Sequence, residues 1–110
     1  MNKAFVTLGL ILIPAISLAK KTDIELNKII AVHQIGDESK AGFDFFSADY
    51  VHECGGKSSN RFRSYSRYDG VTDRKFTLVL TAFSDNLKLS VETLGCEGNA
   101  MKVGRIGVKR

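Results

Sequence analysis

The stretch DRKFTLVLTAFSDNLKLSVETLGCEG, Asp73 to Gly98, changes its hydrophobic period halfway and runs into one of only two cysteines in the chain. Its first half places Phe76, Val79, Leu80 and Phe83 at i, i+3, i+4 and i+7, one apolar stripe of a helix. Thr72 or Asp73 is the expected N-cap, because a short polar side chain can accept a bond from an unpaired backbone N–H. Asp85-Asn86 ends the helix, asparagine being tolerant of the left-handed conformation common just past a helix. In the second half Leu87, Leu89 and Val91 alternate with Lys88, Ser90 and Glu92, the pattern of a half-buried strand. The change of rhythm is a helix handing over to a strand.

Upstream, RFRSYSRY puts Phe62, Ser64, Ser66 and Tyr68 on one strand face and Arg61, Arg63, Tyr65 and Arg67 on the other. Asp69-Gly70 then reads as a turn. Further back, IELNKIIAVHQI (Ile24–Ile35) has the β-branched content of a single strand. GDESKAG (Gly36–Gly42) is a turn by composition, and FDFFS resumes as a strand with Phe43 and Phe45 sharing a face. ECGGKSSN (Glu53–Asn60) is a loop. Downstream, GCEGN turns the chain into a last strand, Met101–Val108, which slips phase at Gly104, the mark of a bulge. The order strand, strand, strand, helix, strand, strand is that of a five-stranded antiparallel OB-fold barrel. The alternative is an open antiparallel sheet with one helix packed across it. Closure is favoured because it hides edge strands.

The N-terminal residues read as an export signal. Met1-Asn2-Lys3 is a short positive head, Ala4–Ile16 is almost wholly apolar, and Ser17-Leu18-Ala19 offers small residues at a cleavage site. Residues 1–19 therefore read as a secretory signal and residues 20–110 as one mature domain. The apolar run is short for a membrane span of about 20 residues. No stable membrane insertion is expected after cleavage, and the destination is the periplasm or the extracellular space. Cys54 and Cys96, the only cysteines, are expected to pair in that oxidising setting. Closing a loop of 43 residues would stabilise the fold by about 4 kcal/mol in the chain-entropy model.

Charge is unevenly distributed. Residues 20–56 carry a net −3 and residues 57–110 a net +6, so the second half can attract anionic partners. RFRSYSRYDGVTDRK concentrates the effect. Arg61, Arg63, Tyr65 and Arg67 line one strand face, and Arg74 and Lys75 are expected in the first helical turn. There they would oppose the helix dipole at about 0.3–1 kcal/mol, which hints at a role other than helix stability. Arginine offers flat bidentate binding to an oxyanion, and tyrosine a stacking plane. The competing reading is a solvated basic face contributing little to folding.

Other chemistry has less support. The histidines, His33 and His52, and serines such as Ser47, Ser58 and Ser59 form no nucleophile elbow. Asp44, Asp49 and Glu53 could supply a carboxylate pair, as could many chains of this size. CGGKSS lacks the P-loop spacing. His52-Glu53-Cys54 is too compact for a metal site, since neighbours on a strand face opposite ways. No metal, no cofactor and no catalytic residue are expected.

The layout as a whole, and the LKLSVETLGC strand (Leu87–Cys96) above all, resembles a broad group of small exported bacterial proteins. It is also similar to the pentameric binding subunits of the subtilase- and pertussis-like bacterial toxins. That resemblance implies an OB-fold, recognition of cell-surface glycans and a pentamer. No glycan-pocket motif aligns residue by residue, so no binding residue is carried over. Three function classes follow: a binding module for a glycan or acidic protein surface, a periplasmic inhibitor or immunity-type protein that binds an envelope enzyme, and a small enzyme. The first leads, and export argues against nucleic acid as the partner.

Overall fold

The computed structural model describes residues 22–35, 41–66 and 68–110; the expected signal segment lies outside them. The fold is mainly β with one helix. Its elements are β1 (Thr22–Leu26), β2 (Ile29–Ile35), β3 (Ala41–Ser47), a 3₁₀ turn (Cys54–Gly56), β4 (Arg61–Ser66), α1 (Asp69–Asp85), β5 (Lys88–Glu97) and β6 (Ala100–Lys109). The six strands form one sheet in the order β1-β5-β6-β4-β3-β2. All neighbours are antiparallel except β4 and β6, which run parallel, Phe62 beside Met101 and Arg63 beside Lys102.

This corrects the expected closed five-stranded barrel. The single strand foreseen over Ile24–Ile35 is broken at Asn27-Lys28, and its two halves lie at opposite edges of the sheet. The break is held from a distance. Asp49 accepts hydrogen bonds from the Asn27 backbone N–H at 3.2 Å and from its side-chain amide at 2.7 Å, and the Ala48 N–H donates to the Lys28 carbonyl at 2.9 Å. Two residues joining the two edges require the sheet to curl strongly. No β1–β2 ladder closes it, so the sheet is open and mixed.

Inside the curl, Leu26, Ile29, Phe43, Phe45, Phe62, Leu89, Val91, Val103 and Ile106 meet Val79 and Ala82 of α1. The Phe45 and Phe62 rings stack at 5.5 Å, and Phe43 meets Phe76 edge-on at 5.1 Å. The predicted phase slip in the last strand is present. Between the Val91–Ile106 and Thr93–Val103 pairs β6 has one extra residue, and before Gly95–Lys102 β5 has one extra in return. Val103 and Ile106 can therefore both face inward.

The helix begins earlier than its sequence signals indicate. Asp69-Gly70 is its first turn rather than a separate turn, and Tyr68, with extended backbone, stands at the N-cap without a side-chain cap bond. Thr72 is buried and Asp73 lies in the second turn, so neither caps it. Its inward stripe is Thr72, Phe76, Val79 and Ala82. Leu80 and Phe83 turn outward, a correction to the expected stripe. The far end is as expected: Asn86 adopts φ 55°, ψ 45° and closes the helix.

Cys54 and Cys96 form a disulfide with a Cα–Cα distance of 5.4 Å, tying the β3–β4 connection to the end of β5. Beside it Gly55, at φ +82°, passes under the β5–β6 turn, where a Cβ would stand 3.1 Å from Asn99. Ser59 Oγ donates to the Asn99 carbonyl at 2.7 Å and fastens the same contact. Among the described residues no helix is long and apolar enough to cross a membrane.

Candidate functional site on the outer face of the sheet

Alternation along β3 and β4 sends Phe43, Phe45 and Phe62 inward and Asp44, Phe46, Arg61, Arg63 and Tyr65 outward. Cross-strand register sets Asp44 opposite Arg63 and Phe46 opposite Arg61. The result is a cluster, with an unforeseen carboxylate at its centre. Arg63 donates from Nε to Asp44 Oδ1 at 2.7 Å and from Nη2 to Oδ2 at 3.0 Å. Arg61 Nε donates to the same Oδ2 at 2.8 Å. Arg63 Nη1 reaches on to Glu97 Oε1 at 3.1 Å, and the Tyr65 hydroxyl donates to Glu97 Oε2.

The two arginines cover Asp44 so fully that it is 2% exposed, although it faces away from the core. Burial pushes its carboxyl upward. The hydrogen bonds and charges of Arg63 and Arg61 together outweigh that push and hold it below its ordinary range. The Asp44 hydrogen bond in turn raises Arg63, which stays cationic. Arg61 lies over the Phe46 ring at 5.6 Å, a cation–π contact, and the exposed His33 on β2 meets the same ring at 5.4 Å. Gly42 lets Tyr65 settle on the sheet, since a Cβ there would stand 2.6 Å from the Tyr65 Cβ.

Of the residues singled out from sequence, the structure brings Arg61, Arg63 and Tyr65 together. It does so differently from expectation: the arginines are not a free basic face, because Asp44 and Glu97 occupy much of their donor capacity. Arg67 lies outside the described residues. Arg74 and Lys75 sit on α1, which packs on the core side of the sheet, so they do not join the cluster. Because α1 starts at Asp69 they lie beyond its first turn, and the dipole conflict expected there disappears. Arg74 borders an open groove of about 420 Å³ with Asp73, Thr77 and Leu78. Lys75 is half-buried, and burial lowers its amine against the opposing pull of Glu92.

Sequence reasoning passed over Phe46, Glu97 and Lys102, and weighed Asp44 only as one of a catalytic carboxylate pair. One signal was present: in FDFFS a single acid interrupts an aromatic run. Lys102 is placed beside Arg63 by the β4–β6 register, and no carboxylate among the described residues comes within 4 Å of its amine.

The other acids and histidines weighed for catalysis have structural partners. Asp49 clamps the Asn27 corner, and Glu53 accepts a bond from Ser58 at 3.3 Å. His52 is buried. Its Nδ1 accepts from the Cys54 N–H at 3.2 Å, which leaves Nε2 to donate to the Arg61 carbonyl at 2.7 Å. Among the described residues no three His, Cys, Asp or Glu side chains gather to hold a metal ion. Comparison with known proteins finds no matching family model, no similar curated protein and no similar solved structure.

Proposed function

We propose that the protein is a small exported, non-enzymatic binding module that recognises a glycan or another anionic surface through the outer face of β3, β4 and the end of β5. The observation that carries this reading is the fixed Asp44–Arg61–Arg63–Tyr65–Glu97 cluster on the outer face. A network of charge-assisted hydrogen bonds presents guanidinium donors and ring surfaces with little freedom left to lose on binding. The disulfide and an apolar N-terminal leader support the exported location.

Finer features of the fold favour the OB-type reading. One bent stretch serves both sheet edges, the helix falls between the third and fourth of the strands counted that way, and β4 runs parallel to β6. In that architecture the second and third strands and their adjoining loops commonly carry the ligand. The cluster lies on those strands.

The geometry shifts the expected basis of recognition. Two carboxylates neutralise two guanidinium groups, so donor direction outweighs bulk charge, and affinity should depend only weakly on salt. The test is a glycan array on the oxidised mature protein, followed by mapping of backbone amide shifts with the strongest hit. Shifts centred on β3, β4 and Glu97 support the reading; shifts centred on α1 overturn it.

A further inference from the structure

We infer that Arg61, rather than Arg63, is the contact residue of the outer face, and that the group it takes is the carboxylate of an acidic sugar. The inference rests on the binding reading above and narrows it to one side chain and one ligand chemistry. The two arginines share the Asp44 carboxylate and differ in availability. Arg63 spends Nε and Nη2 on Asp44 and Nη1 on Glu97, and is 23% exposed. Arg61 spends only Nε on Asp44 and is 35% exposed. Among the described residues no acceptor reaches its two terminal amines.

Those amines are held ready. Asp44 pins one edge of the Arg61 guanidinium, and Phe46 lies against the group at 5.6 Å. A carboxylate presents two oxygens in one plane, which suits paired terminal N–H groups. Beyond the guanidinium the Phe46 ring meets the exposed His33 of the edge strand β2, the two rings 5.4 Å apart and tilted by 58°. A pyranose can lay its C–H face against one of these rings while its ring carboxylate meets the amines. The outer cluster offers charged and aromatic surface rather than an apolar pocket for a peptide side chain, which favours the sugar over an acidic peptide.

The experiment is calorimetric titration of the oxidised protein with three probes: a short oligosaccharide ending in a uronate, the same oligosaccharide with that carboxylate amidated, and an acidic peptide. The expected result is uronate binding at least tenfold tighter than the amide. Arg61→Gln should abolish that preference while keeping the parental melting temperature within a few degrees, because Arg63 still holds both oxygens of Asp44. Phe46→Leu should weaken uronate binding several-fold. Equal uronate preference in parent and Arg61→Gln overturns the inference. So does a preference for the peptide. A parent that ignores the uronate while the array and amide shifts still place another glycan on β3 and β4 overturns this inference alone. A hit mapping to α1 overturns the binding reading with it.

Discussion

Arg63 holds both carboxylate oxygens of Asp44, at 2.7 and 3.0 Å, on the face of the sheet turned away from the core. Arg63→Ala would leave a buried acid with only Arg61 Nε. Breaking a buried pair from one side costs about 3–5 kcal/mol, and the remaining bond and partial exposure place this case at the lower end. For a domain of this size each kcal/mol shifts Tm by about 4–8 °C. Thermal melts should therefore show Arg63→Ala more than 10 °C below the parent, where a solvated face would show almost no change.

The same pair sets an acid limit. Asp44 titrates below its ordinary value of 3.8 in the folded protein. Its contribution is fully present above that value and is lost as pH falls through the lower folded value. Melting temperature followed between pH 6 and pH 2 should drop below about pH 4, and Asp44→Asn should make that drop shallower. Asp49, held low against burial by its bonds from Ser47 and Asn27, adds a part with the same sign.

On α1, Val79 is fully buried while Phe83 is 42% exposed. Val79→Asp should abolish soluble folded protein, since an unpartnered charge in the core is costly. Phe83→Asp should fold with a Tm within a few degrees of the parent. Circular dichroism melts of the two variants distinguish this facing from its reverse.

Ser64 sits 1% exposed on the inner face of β4, and its hydroxyl has no hydrogen-bond partner among the described residues. An unsatisfied buried hydroxyl is a net cost, so Ser64→Ala should leave stability unchanged or raise it by about 1 kcal/mol. A fall of that size in urea titration would reveal a partner for the hydroxyl.

Thiol labelling of the native protein should find neither Cys54 nor Cys96 reactive. Replacing both by Ala should cost about 2–5 kcal/mol, read as a lower urea midpoint.

Local chemistry made much of this legible. Asn86 ended the helix because asparagine accepts a left-handed backbone, and the slip at Gly104 foretold the bulge that lets Val103 and Ile106 both face inward. What failed depended on distant partners. Asn27-Lys28 looks like a continuous strand until Asp49, 22 residues away, is seen to hold the corner. Leu80 and Phe83 suit an apolar stripe better than Thr72 and Ala82 do, yet the placement of α1 mainly against β2 and β6 selects the smaller pair. The charge on Arg61 and Arg63 was visible; its neutralisation was not, because Asp44 and Glu97 reach them from other strands.

The parallel pairing of β4 with β6 divides the sheet into two antiparallel plates, β2-β3-β4 and β1-β5-β6. Parallel ladders are somewhat weaker per residue than antiparallel ones, so slow opening should follow this seam instead of fraying strand by strand. The disulfide crosses it from the 3₁₀ turn to β5, like a rivet near one end. Asp44, Arg61 and Arg63 ride together on the first plate, whereas Glu97 belongs to the second. Each opening would thus part Arg63 from Glu97 and leave the grip on Asp44 intact. Hydrogen exchange at Phe62, Arg63, Met101 and Lys102 would report the same excursion from both sides of the seam.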